Sequence, residues 1–371
     1  YAQLVENIMG RGVKNVITSG TATLDNNSEI GITSIQFYKS LIESDNMKKF
    51  NKYSYHPYVF RANFDTMKEK LVEHREFFNN IGGFNYLYST EYGENTMNYS
   101  EDNQANWAVK ETIIQNEYNQ YNFLYEFVDN GSVNDNPSKT FGLIYQNYEL
   151  KKSYYAMKNY YENTNGAEYI GTVNISDGLE SHVYDKDGKP VIITWSENST
   201  NNIQIDYKDF TAKDLYGKDI QPDENGKLTI TTSPVYLYNV DYNYFYKAIS
   251  NVATSKYDEF KEKFVTEISQ ISGFEEKINQ RQNYSQSVAN TQKLMQNTAI
   301  TAMKSHYELG DIILKSYEEG QLKAESVKIS SMLDMINDIG NSYEDLVTVS
   351  VNNTINSVMK TLDEANVDSS E

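Results

Sequence analysis

The sequence predicts a multidomain chain: parallel βα units of a (β/α)8 TIM barrel, a small antiparallel β-sandwich, and a C-terminal α-helical bundle or coiled coil. Three observations predict it. Over residues 1–165, helix-spaced apolar stripes alternate with short aromatic or β-branched runs. Over 166–243 the spacing changes to two, with turn signals between runs, and from 244 to 371 it returns to helix spacing without a proline. A length of 371 residues fits two or three domains at about 150 residues each.

In the first segment, Leu4, Val5 and Ile8 share one helical stripe, and 13–18 is a β-branched run closed by Ser19-Gly20. Ile35, Tyr38, Leu41 and Ile42 mark a helix within 32–50, followed by an aromatic strand over 52–58 that contains His56, Pro57 and Tyr58. A third unit pairs the helix 64–79 with a strand ending at Glu91, in which Phe84, Tyr86 and Tyr88 alternate and Gly93 ends the run. The series closes with a helix over 103–118 (Trp107, Val109, Ile113, Ile114), a strand over 121–128 and a helix over 149–161. Strands alternating with helices build a parallel sheet. An open doubly wound sheet would want a glycine-rich phosphate turn, which this segment lacks, so the barrel is preferred. A barrel carries its chemistry at the strand C-termini, where His56, Tyr58, Glu91 and Asp129 fall.

In the second segment, short strands are expected at 169–173, 181–184, 190–195, 203–205, 227–230 and 235–238, with turns at Asp187-Gly188 and Asn225-Gly226. Trp195 reads as core rather than as a sugar platform. Asp185-Lys186-Asp187-Gly188 reads as a hairpin turn, because no Glu stands at the twelfth position that a calcium loop needs. In the third segment, stripes such as Tyr257, Phe260 and Phe264, or Met332, Leu333, Met335 and Ile336, predict long helices broken near Gly273, Gly320 and Gly340. His306 has no partner there at clear ligand spacing, and no metal or cofactor is expected.

Composition narrows the function. A net charge of −19 disfavours nucleic acid and anionic membrane surfaces as partners. A neutral polymer such as carbohydrate fits better, and the 32 Tyr and 15 Phe supply rings suited to sugar faces, although most must be core. The absence of cysteine excludes disulfides, thiolate metal sites and Cys nucleophiles. No apolar run reaches the ~18 residues of a membrane span. The chain starts at Tyr1, inside an amphipathic stripe, which suggests a fragment of a longer protein.

Glu91 is the leading candidate for chemistry, against the plainer reading of a solvated Glu closing a strand. Its surroundings, Tyr88-Ser89-Thr90-Glu91-Tyr92-Gly93-Glu94-Asn95, resemble the seventh-strand end of retaining (β/α)8 glycoside hydrolases of the cellulase and xylosidase clan. His56-Pro57-Tyr58 resembles that clan's sixth-strand segment. The runs 123–131 and 141–144 resemble the eighth strand and its closing loop. Lys151-Lys152-Ser153-Tyr154-Tyr155-Ala156 is similar to the Lys-Pro-x-Tyr-x-Ala start of the last helix, with Ser153 in place of proline. The order of four segments is more specific than any one of them. The likeness is strongest to the family-39-type polysaccharide hydrolases.

That resemblance implies that residues 1–165 are the second half of a catalytic barrel. Glu91 would be the nucleophile, and an Asn-Glu acid/base would lie upstream of Tyr1. His56 and Tyr58 would line the neighbouring subsite, Tyr92 and Tyr125 would be stacking rings, and Asp129 would contact substrate. His56 is equally open to a capping role. Trp is frequent on the clan's eighth strand, where this chain has Tyr125-Glu126-Phe127. The implied protein is extracellular or on the cell surface, acts on a polysaccharide or oligosaccharide, and uses its helical tail for oligomerisation or attachment. Residues 1–371 alone are expected to be inactive. The alternative is a non-catalytic carbohydrate-binding or surface scaffold protein whose helical tail is the interacting part.

Overall fold

A computed structural model describes residues 34–43, 53–58, 87–118, 121–131, 139–197, 202–208 and 210–249, together with 11, 17, 20, 68–69, 71–72, 136 and 251–252. The expected helical tail beyond residue 252 lies outside the described residues, as do most of the expected strand at 13–18 and helix at 64–79. The chain divides into two compact units, Tyr1–Asn165 with Lys213–Ile220 and Ser233–Val235, and Gly166–Ala212 with Gln221–Thr232 and Tyr236–Glu371.

The first unit contains α1 (Ser34–Glu43), β1 (Tyr53–Tyr55), β2 (Leu87–Tyr92), α2 (Glu101–Tyr118), β3 (Tyr121–Leu124) and α3 (Lys152–Thr164). The three strands form one sheet in the order β1-β2-β3, and both pairings are parallel. Parallel neighbours in chain order, with helix between β2 and β3, are the βα repeat that the spacing predicts. A closed barrel is not seen among the described residues. Aromatic rings fill this sheet: Tyr55 and Tyr92 are buried, and Tyr88 stacks on Tyr121 at 5.3 Å. The β2–β3 register shifts between Ser89 and Tyr92, the stretch that holds Thr90 and Glu91.

Helix α2 packs against α3 and is buried on several faces, through Ala105, Ala108, Val109, Ile113 and Ile114 but also Gln104, Thr112 and Gln115. Its first turn presents Glu101 and Asp102, whose carboxylates suit a helix N-terminus. Glu101 serves the neighbouring helix as well, accepting the Lys152 amide at 2.9 Å and the Tyr145 hydroxyl. The α3 cap residue Lys151 makes no side-chain capping bond to the helix, so that borrowed carboxylate satisfies an otherwise orphan amide. Three expected elements come out shorter, the first being the strand expected over 52–58, which ends at Tyr55. The strand expected over 121–128 ends at Leu124, because Glu126, Phe127 and Asp129 pair with the 141–144 segment instead. The helix expected from 149 starts at Lys152, since Leu150 bridges to Ile144.

The second unit holds β4 (Glu168–Thr172), β5 (Leu179–Lys186), β6 (Lys189–Ser196), β7 (Ile203–Asp206), β8 (Thr211–Lys213), β9 (Asp219–Ile220), β10 (Lys227–Ile230) and β11 (Val235–Tyr238), the short β9 falling in the residues that cluster with the first unit. β4, β5, β6, β11 and β8 lie side by side in that order, and β7 pairs with β10 separately. The β4–β5, β5–β6 and β7–β10 pairings are antiparallel. Asp187 and Gly188 both have positive φ (55° and 78°), and Asp185 Oδ1 accepts the Gly188 amide at 2.7 Å, which is the tight hairpin expected there. Trp195 is buried and stacks on His182 at 5.2 Å, so it is core. A further helical turn begins at residue 243.

Candidate active site

Glu91 sits at the C-terminal end of β2, one residue before the strand closes. Its neighbours come from the end of β1. The Tyr58 hydroxyl donates to Glu91 Oε2 at 3.1 Å, and His56 Nδ1 stands 3.5 Å from the same oxygen. His56 Nε2 meets Thr90 Oγ1 at 3.0 Å. Successive side chains of a regular strand point to opposite faces, so Thr90 and Glu91 should not reach one ring. The register shift between Ser89 and Tyr92 lets them do so, as irregularities beside functional sites commonly re-aim side chains.

The Glu91 side chain is 40% exposed and that of His56 19%, so the carboxylate is held from one side and open on the other. Burial lowers the His56 pKa, outweighing the opposite pull of Glu91, and the imidazole is therefore neutral at pH 7. A neutral ring with an N–H toward Glu91 can accept from Thr90, which matches both distances. Burial, followed by the Glu91 charge and the hydrogen bond to it, pushes the Tyr58 hydroxyl far above the ordinary tyrosine value. Tyr58 remains a donor at every physiological pH. Gly20 completes the wall: a Cβ there would stand 2.1 Å from His56 Nε2.

Behind the carboxylate lies an aromatic cluster. Phe141 contacts the Tyr58 ring edge-to-face at 6.0 Å and the Tyr125 ring at 5.7 Å. Tyr125 is reached through Gly93, whose φ of 155° and close approach to the Tyr125 carbonyl (2.2 Å from a built Cβ) leave no room for a side chain. The Tyr125 amide donates to Tyr92 O at 2.7 Å, and the Tyr125–Glu126 peptide is cis. Burial, then the charges of Glu126 and Glu91, raise the Tyr125 pKa.

The structure thus brings together four of the six expected site residues: Glu91, His56, Tyr58 and Tyr125. The other two, Tyr92 and Asp129, are buried. Tyr92 is 1% exposed, and its hydroxyl bonds Thr112 Oγ1 at 2.7 Å on α2, so it packs the sheet against that helix and cannot stack on a sugar. Asp129 is buried, pairs with Lys151 Nζ at 2.8 Å and accepts the Gly142 amide at 2.7 Å. Both bonds fall on Asp129 Oδ1, which serves the fold. His56 also differs from a substrate contact, since both ring nitrogens face protein partners. Sequence reasoning left Phe141 without a role, and it missed Gln104, Lys151 and Gly20 as supports. Only Gln104 carried a signal, a polar residue one turn before Ala108 on a buried helix face.

Glu94 lies three residues beyond Glu91, and its Oε1 accepts from the Asn95 amide at 3.0 Å. Glu111 is fully buried, and burial with the Glu94 charge raises its pKa. Glu111 is therefore no open second carboxylate. Among the described residues no group of three His, Asp or Glu could hold a metal ion, and no helix is long and apolar enough to cross a membrane.

No protein-family model matches the chain, and no curated protein matches it. Solved structures are similar in part. One is a family 39 glycoside hydrolase from the gut symbiont Bacteroides cellulosilyticus, 18% identical with a TM-score of 0.47 over 55% of this chain and 47% of that one. Another is a GH30 endoxylanase from Clostridium papyrosolvens, 12% identical with a TM-score of 0.40 over 64% of this chain and 60% of that one. A third is a family 30 subfamily 8 xylanase from Clostridium acetobutylicum, 12% identical with a TM-score of 0.37 over 64% of this chain and 61% of that one. The chain spans about half to three-fifths of the length of these structures.

Proposed function

We propose that Glu91 is the catalytic nucleophile of a retaining glycoside hydrolase that acts on a polysaccharide or oligosaccharide by double displacement. The observation that carries this reading is the oriented, half-open carboxylate: Tyr58 donates to Glu91 Oε2 at 3.1 Å, with a neutral His56 beside it, at the end of a parallel strand. Double displacement needs a carboxylate that stays ionised and fixed in one rotamer while it attacks the anomeric carbon. A phenol that cannot ionise at working pH is a suitable holder. The carboxylate forms a glycosyl ester as the leaving oxygen takes a proton from the acid/base, and water then cleaves the ester with that same acid/base as general base. A second carboxyl would serve as that acid/base.

In this reading Tyr125 offers a ring face to the sugar next to the reacting unit, and His56 steadies Glu91 and Thr90 instead of touching substrate. The site is built on the second half of a (β/α)8 barrel, with the antiparallel unit as an accessory sandwich. The helical region would space, attach or oligomerise an extracellular or cell-surface enzyme. Replacing Glu91 by Gln in the complete protein tests the proposal. Release of reducing ends from a panel of polysaccharides should fall by roughly a thousandfold or more. Release at the parent rate would overturn it.

A further inference from the structure

The loop 139–144 has almost no regular secondary structure, yet its backbone is tied down from four directions. Gln104 Nε2, on α2, donates to the carbonyls of Phe141 and Gly142, each at 3.2 Å, and to that of Glu94 at 2.9 Å. Gln104 is itself held through its Oε1 by Ser153 Oγ at 2.8 Å. Lys151 Nζ donates to Thr140 O at 3.3 Å and to Thr96 Oγ1 at 3.3 Å while paired with Asp129. Asp129 takes the Gly142 amide, and the Thr96 amide donates to Thr140 O at 3.1 Å. Gly142 is packed so tightly that a Cβ would stand 2.2 Å from the Asp129 nitrogen. Three buried side chains, Gln104, Lys151 and Asp129, therefore converge on residues 140–142.

The side chain delivered by this bracing is Phe141, the ring that touches both Tyr58 and Tyr125. A tyrosine hydroxyl facing a carboxylate that is 40% exposed competes with water for that oxygen. Its advantage depends on the ring having one orientation.

We infer that Phe141 is a positioning residue: braced by Gln104 and the Lys151–Asp129 pair, it fixes the Tyr58 ring so that the hydroxyl stays on Glu91 Oε2. The catalytic meaning rests on the reading of Glu91 as nucleophile, whereas the positioning itself can be measured without turnover. In the full chain labelled with ¹³Cζ-tyrosine, Tyr58→Phe identifies the Tyr58 line. Glu91→Gln then moves that line, because the hydrogen-bonded charge is lost. In a Phe141→Met background, or Phe141→Leu where Met impairs folding, the same change loses most of its effect on Tyr58. Phe141→Tyr keeps the ring and retains the full shift. A shift as large without the aromatic ring as with it would overturn the inference, and so would a Tyr58 line that ignores Glu91 in the parent chain. Failure of the functional reading looks different: the Tyr58 cycle behaves as described, yet Glu91 takes no glycosyl label from an activated glycoside.

Discussion

A carboxylate 40% exposed has water as its default partner, and at Glu91 a half-buried phenol and a neutral imidazole take over one side of that shell. The Tyr58 bond restricts the rotamer, and misplacing a reacting group by about 1 Å can cost ~100-fold in rate. Tyr58→Phe is therefore expected to slow formation of the glycosyl ester by about 100-fold, read by single-turnover kinetics of the complete protein, while Glu91 still becomes labelled. Glu111 gives a second residue-scale prediction. Burial first, and Glu94 second, raise its pKa, so the folded chain holds this proton more tightly than the unfolded chain. Its stabilising contribution is full below the unfolded carboxyl value and is lost as pH rises through the folded one. Glu111→Gln removes that loss. The variant should melt at a higher temperature than the parent at about pH 7, with the difference shrinking toward about pH 4, near the unfolded carboxyl value. A melting difference that does not change with pH would contradict the assignment.

At the scale of elements, the short loop 139–144 does the work of a strand end, through side-chain bonds added to its backbone pairing with residues 126–129. Gly142→Ala should cost about 1–3 kcal/mol in a denaturant titration, because its Cβ meets the Asp129 backbone and not a flexible side-chain tip. Breaking the buried Lys151–Asp129 pair from one side, by Lys151→Met or Asp129→Asn, should cost about 3–5 kcal/mol, and the double substitution markedly less than the sum of the two. Additive losses would show that the two groups do not act as a pair. The elements themselves were largely legible in the sequence. Aromatic alternation placed β2 and its lip, Asp187-Gly188 placed the β5–β6 hairpin, and helix spacing placed α2 and α3. Other features had no local signal. The register shift at Thr90–Glu91 depends on how β3 meets β2, so one strand's alternation cannot reveal it. Tyr92 and Asp129 look like site residues because they stand at strand ends, yet each is claimed by a partner distant in sequence, Thr112 and Lys151. Strands β8 and β9 escaped because two- and three-residue strands carry too little pattern to read.

At the scale of the whole molecule, the first unit exposes apolar surface beside β3. A cavity of about 740 Å³ is lined by Phe123, Leu124, Phe127, Met157 and Tyr161 among others, and Phe123 and Phe127 are 55% and 59% exposed. Contiguous apolar surface of this kind drives association. The chain should bind a hydrophobic dye and self-associate in sedimentation, and Phe123→Ser with Phe127→Ser should reduce both. A monodisperse parent that binds no dye would contradict this. Charge bears on the choice of partner, since a net −19 disfavours polyanions. In the proposed mechanism Glu91 makes the covalent bond. The most direct measurement treats the complete protein with 2-deoxy-2-fluoroglycosides of several sugars carrying a dinitrophenolate leaving group, which departs without acid assistance, and maps the adduct by peptide mass. One glycosyl ester is expected, on Glu91, absent from the Glu91→Gln variant. An ester on another carboxylate, or turnover of these glycosides with Glu91 never modified, would contradict it.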